Sequence, residues 1–225
     1  MMESDALLPP GVANQVNFFL GGGGDCGEEA TGEEGTGKPR IDGPSLVEIP
    51  DMPVFCLAGF RETGTITVTV TSPTARQMRN VQLQQLVGVP WLIPTGSPAG
   101  RYRIRVVQGG RAATSEFDVR RAARPRMWIA PRHVRAGETV DVHIGGFPPR
   151  RTTDLHLYVS DALTYRASTT VAVDGNGEAL LTLRTSPGSK PDAYAVNSPL
   201  IYVPPDHFEP GELGGPPGSV FWIGF

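Results

Sequence analysis

A block of this chain returns 87 residues later. Phe55-Cys56-Leu57-Ala58-Gly59-Phe60 is matched by Val142-His143-Ile144-Gly145-Gly146-Phe147, and the same offset sets Val68 on Leu155 and Val70 on Leu157. Further on, Ser97-Pro98 matches Ser186-Pro187 at an offset of 89 and Tyr102 matches Tyr194 at 92, as a lengthening loop requires. An internal repeat of this length, made of about seven short apolar runs, calls for two like units that each bury their own core. The 225 residues have room for two such units of about a hundred residues each.

The runs themselves read as strands. Thr65 to Thr71 alternates threonine with Ile66, Val68 and Val70, and Tyr102-Arg103-Ile104-Arg105-Val106 repeats the pattern with arginine on the wet face. A second series follows at Met127–Ile129, Val140–Ile144, Leu155–Val159, Thr169–Val173, Ala179–Leu183 and Leu200–Val203. The 28 glycines and 22 prolines fall between these runs and punctuate turns. Asp174-Gly175-Asn176-Gly177 predicts a tight hairpin, because Gly and Asn accept the positive φ that such turns need. Ala75–Leu86, rich in Gln, is the most helix-like stretch and stays ambiguous.

The fold class that follows is all-β: two consecutive immunoglobulin-like β-sandwich domains, at 47–122 and 123–205, behind a flexible acidic arm at 1–46. The arm carries eight carboxylates against Lys38 and Arg40, with the Gly21–Gly24 run as a tether. One apolar island interrupts it, Val16-Asn17-Phe18-Phe19-Leu20, which suits docking on this chain or on a partner. At the other end, 206–225 is a connector and an apolar segment. The last repeat-matched strand is expected to end near Val203, so Val220-Phe221-Trp222-Ile223 must be covered by other means. Either it folds back as an extra edge strand, or it docks on another subunit, beside Phe18, Phe19 and Leu20.

No catalytic constellation is present in the sequence. It holds no Gly-x-Ser-x-Gly elbow, no His-Glu-x-x-His, no phosphate-binding loop leading into a helix and no Cys-x-x-Cys. His143 and His156 fall on predicted outward faces, yet no carboxylate or cysteine partners complete a metal site. The expectation is a chain that is not an enzyme, with no catalytic residues, no metal and no cofactor. Twelve arginines against four carboxylates over 101–151 read as solvated strand faces, so no nucleic-acid partner is inferred. No stretch reaches the eighteen apolar residues that span a bilayer. A carbohydrate platform needs exposed aromatics in a row, and with only 8% of residues aromatic the sequence does not support carbohydrate binding.

The Gly146-Phe147-Pro148-Pro149 run after an early strand and Gly100-Arg101-Tyr102 at a late one resemble bacterial tandem immunoglobulin-like modules of the IPT/TIG type. The resemblance covers roughly 47–205. It implies a noncatalytic structural or protein-binding module of a surface protein or larger assembly; the alternative is a self-assembling subunit that adds a terminal strand to its neighbour. A protein partner or self-association follows, at the cell surface or outside the cell, although Met1-Met2-Glu3-Ser4-Asp5 is not a secretory signal. In such folds a cysteine two residues after the late-strand Tyr forms the inter-sheet disulfide, and here that position is Ile104. Cys56, flanked by inward-facing Phe55 and Leu57, points away from the core, where it could reach Cys26. Two cysteines fit one disulfide in an oxidising compartment and two thiols in a reducing one equally well.

Overall fold

The computed structural model describes residues 26, 37–61, 63–84, 88–159, 164–201 and 219–224. The described elements are strands. The first set is β1 (Arg40–Asp42), β2 (Leu46–Ile49), β3 (Val54–Ala58), β4 (Thr63–Thr71), β5 (Arg76–Gln84), β6 (Gly88–Pro90), β7 (Gly100–Gln108) and β8 (Arg111–Arg121). The second is β9 (Arg126–Ala130), β10 (His133–Arg135), β11 (Thr139–Gly145), β12 (Thr152–Val159), β13 (Thr164–Ala172), β14 (Ala179–Arg184), β15 (Asp192–Asn197) and β16 (Val220–Gly224).

Each set makes one sandwich of a three-stranded and a five-stranded sheet. The first stacks β1-β3-β6 on β2-β8-β7-β4-β5, the second β14-β11-β9 on β10-β16-β15-β12-β13. Period-two alternation decides the inner faces: Ile66, Val68 and Val70 of β4 meet Ile104 and Val106 of β7 inside one core. In the other, Leu155, Leu157 and Val196 take the places of Val68, Val70 and Ile104, and Val142 and Ile144 of the facing sheet pack against them. Ala75–Leu86, ambiguous from sequence, supplies β5, because its exposed face is matched to β4 by Thr65–Gln82 and Thr67–Asn80 side-chain hydrogen bonds of 2.8 and 2.9 Å.

Both sandwiches are pinned at the same corner. The Tyr102 hydroxyl donates to the carbonyl of Pro98 at 2.9 Å, and that of Tyr194 to the carbonyl of Lys190 at 3.0 Å. This return bond four residues upstream is the tyrosine corner of immunoglobulin-like folds. Gly59 and Gly146, the repeated glycines, take φ of 70° and 72°. Only glycine adopts that turn freely, and Cβ atoms there would crowd the backbone at Lys38 and at Arg124.

The repeats differ in how the late hairpin closes. Two glycines, Gly109 and Gly110, both at positive φ, join β7 to β8. In the second sandwich β15 stops at Asn197, and its partner strand is β16, at Val220. Pro199 cannot continue the ladder. Ser198 stands where Val106 stands in the first sandwich, and its hydroxyl lies 3.3 Å from that of Thr153, the counterpart of Ile66. An apolar core pair thus becomes a buried hydrogen-bonded pair where the chain leaves the sheet.

β16 then takes the position of β8. It pairs antiparallel with β15 and parallel with β10, as β8 pairs with β7 and β2. Phe221 stacks on Tyr194 at 5.4 Å, as Phe117 lies against Tyr102 at 5.5 Å, and Ile223 fills the place of Val119. The repeat's last strand is therefore Val220–Gly224 rather than a strand ending near Val203. Ser198–Ile201 is instead a turn, closed by the Ile201 N–H on the Ser198 carbonyl.

Two further expectations are corrected. Asp174–Gly177 does not close a hairpin within one sheet, since β13 and β14 lie in opposite sheets. The Asp174 side chain builds a turn that crosses between them, accepting from the N–H groups of Asn176 and Glu178. His143, expected on an outward face, is buried, 6% exposed, in the three-stranded sheet, while His156 lies in the five-stranded one.

Candidate functional site

The contacts between the sandwiches form around one buried carboxylate. Glu178, 3% exposed, precedes β14, and its Oε2 accepts from the backbone N–H of Gly96 in the first sandwich at 2.8 Å. Its Oε1 lies 3.4 Å from Arg121 Nε without the geometry of a hydrogen bond, so that contact is ionic only. The crossing turn holds Glu178 in place. The N–H of Glu178, followed by that of Asn176, keeps the Asp174 carboxyl below the ordinary carboxylate range.

Three more contacts surround the clasp. Thr95 Oγ1 donates to the Ile144 carbonyl at 3.1 Å. Arg126 Nη2 donates to Asp51 Oδ2 at 2.9 Å, with Glu48 3.5 Å from Nη1. Gly145 lies so close to the Ile49 carbonyl that a Cβ there would overlap it. Its repeat counterpart is Ala58, which carries a Cβ without difficulty in the first sandwich. The glycine thus answers to the neighbouring sandwich and not to the strand it sits in.

The outward faces of the five-stranded sheets differ in chemistry. In the first, Arg101 and Arg103 pair with Asp118 and Glu116 at 2.8 and 2.7 Å. These pairs are exposed and add little stability. In the second, His156, Tyr158 and Tyr165 come together, with ring centroids 6.0–6.5 Å apart. The one-residue bulge opposite Leu157/Tyr158 brings Tyr165 level with Tyr158. Sequence reasoning missed this trio, because only pairing across the β12–β13 ladder makes neighbours of 158 and 165.

Among the residues singled out by sequence, Cys26 and Cys56 are joined by a disulfide, Cα–Cα 5.4 Å, with Cys56 half-buried on β3. Phe221 and Ile223 are buried in their own sandwich, and Trp222 faces outward, stacked on His133 at 5.0 Å. Arg132 lies over both Trp128 and Trp222, and its Nε donates to the Val220 carbonyl at 3.2 Å, clamping β16. Phe18, Phe19 and Leu20 lie outside the described residues. Among the described residues no cluster of three metal-ligating side chains occurs, and no helix is long and apolar enough to cross a membrane.

No family model matches the chain, and no curated protein matches it. Among solved structures, a BSP domain of a biofilm associated protein is similar over 79% of this chain and 30% of its own, at 14% identity and TM-score 0.32. The native conformation of E. coli alpha-2-macroglobulin is similar over 85% of this chain and 17% of its own, at 11% identity and TM-score 0.30. The chain therefore spans under a third of either protein. The class of protein defined by the two stacked pairs of sheets is a tandem β-sandwich protein.

Proposed function

We propose that the chain is a noncatalytic structural and protein-binding module of a bacterial surface protein or larger assembly, in which two immunoglobulin-like sandwiches act as one rigid body. The observation that carries this reading is the buried Glu178 clasp on Gly96. A flexible string of domains needs no buried carboxylate between its members. Such pairs move relative to one another by default unless the interface between them is large and apolar. It is the buried, charge-carrying contact that argues for a fixed arrangement here. The pattern shared with IPT/TIG modules supports the same reading. The competing reading, a self-assembling subunit that donates its terminal strand, has to draw β16 out of the sandwich it completes.

Small-angle scattering of the full chain tests the proposal. A rigid module gives one profile that fits a single arrangement and does not change up to about 0.5 M salt, where exposed ion pairs are screened. Gly145→Ala should loosen it, since the added Cβ meets the Ile49 carbonyl. A wild-type profile that demands an ensemble of arrangements would overturn the proposal. Light scattering on the same samples should show a monomer; concentration-dependent growth supports the self-assembling subunit instead.

A further inference from the structure

The two repeats permit a position-by-position comparison of one surface. In the first sandwich Thr69 lies opposite Arg105 and Met78, and Thr71 opposite Arg103 and Arg76. In the second the matched residues are His156, opposite Asn197 and Ser168, and Tyr158, opposite Ala195 and Tyr165. The arginines have gone, and three rings stand in one cluster, inclined to one another by 58–72°. The cluster is not core, for Tyr165 is 54% exposed.

Beside the rings the sheet is hollowed. β7 runs on to Gln108, whereas β15 stops at Asn197, and a depression of about 340 Å³ lies there. His156, Tyr158, Asn197, Ser198 and Pro199 line it, and none carries a fixed charge. One of its polar groups has hydrogen-bonding capacity that the depression can reach. Asn197, whose Oδ1 accepts from Ser198 N–H, keeps its NH2 as a donor, whereas His156 Nδ1 is buried beneath the surface.

We infer that this depression binds a neutral sugar ring. The Tyr158 and His156 rings that line it take the apolar C–H side of a pyranose, while the Asn197 amide meets its hydroxyl edge. Phosphate or carboxylate ligands call for arginine or lysine, and among the described residues the lining has neither. The volume is at the low end of small-ligand sites, which span roughly 300–1,000 Å³, so it suits one or two rings rather than a protein surface. With so few contacts, binding is of order millimolar for one unit. The inference is independent of the rigid arrangement of the two sandwiches, and scattering does not test it.

The test is aromatic NMR on the full chain titrated with glucose, cellohexaose, chitohexaose and isomaltohexaose to about 10 mM. The expected result is that at least one saccharide shifts the Tyr158 and Tyr165 ring signals and leaves Trp91 unmoved. Tyr158→Ala, which takes a ring out of the lining, should weaken that binding at least tenfold, while Thr71→Ala, in the matched place of the first sandwich, leaves it unchanged. A hexamer that binds where glucose does not indicates a polymer chain as the source; both arms support the site. Circular dichroism verifies that the Tyr158 variant keeps the fold, and Tyr158→Phe, which keeps the ring, should keep the binding. No shift with any saccharide, binding that survives Tyr158→Ala in a folded variant, or a change of oligomeric state on Tyr158→Ala without any saccharide effect each overturns the inference.

Discussion

Glu178 of the second sandwich accepts a hydrogen bond from the backbone N–H of Gly96 in the first, 82 residues away in sequence. The bond is charge-assisted, and the carboxylate that makes it is almost fully buried. Its orientation is set by the Asp174 turn, so a local sequence motif within one sandwich fixes a contact with the other.

Replacing Glu178 separates its two roles. Glu178→Gln keeps an acceptor for Gly96, while Glu178→Ala removes it, and the loss is expected at about 1–3 kcal/mol. In a chain of this size that lowers the melting temperature by about 2–4 °C per kcal/mol. Calorimetry should show one transition for the wild type and a broadened or split one for the Ala variant.

The tail is a structural strand, so Phe221→Ala should destabilise the second sandwich by about 3–5 kcal/mol, the usual cost of emptying a buried phenylalanine site. Denaturant unfolding followed at Trp222 and Trp128 should shift, and light scattering should still show a monomer. An unchanged midpoint would mean that β16 does not complete this core.

How the sequence conveyed the fold follows from that strand. Alternation in Thr65–Thr71 and the Gly-Phe repeat define two sandwiches because side-chain period and turn glycines are local properties. The membership of β16 was hidden, since a 22-residue connection replaces the Gly109–Gly110 turn and periodicity says nothing about which edge a distant strand joins. The histidines show the same limit. Alternation sends His143 outward from its own sheet, but it cannot tell that this face is covered. The clasp was equally illegible, because nothing local marks Glu178, just after the Asp174–Gly177 turn, as an interdomain residue, and its partner is a backbone N–H.

Burial of His143 makes stability depend on pH. Desolvation lowers its pKa, and Asp141 opposes this only in part; His133 is lowered too, by burial and then by Arg132. The unfolded chain therefore binds protons more readily, and this contribution is full above pH about 6.5 and lost as pH falls below it. Urea midpoints should drop between about pH 7.5 and 5.5, and His143→Gln should flatten the drop. An identical slope in the variant would remove His143 from the account.

The Cys26–Cys56 bond closes a 30-residue separation and ties the arm to β3. On chain-entropy grounds it stabilises the first sandwich by about 3–4 kcal/mol. Reduction should lower that sandwich's unfolding midpoint, and intact mass should rise by about two daltons.

The most direct measurement of the central claim is the set of amide residual dipolar couplings of the full chain in a weakly aligning medium. If the clasp makes the sandwiches one body, couplings from β2–β8 and from β9–β16 fit a single alignment tensor of one magnitude and orientation. Two tensors of different magnitude would show that the sandwiches reorient independently, and the rigid-module account would be wrong.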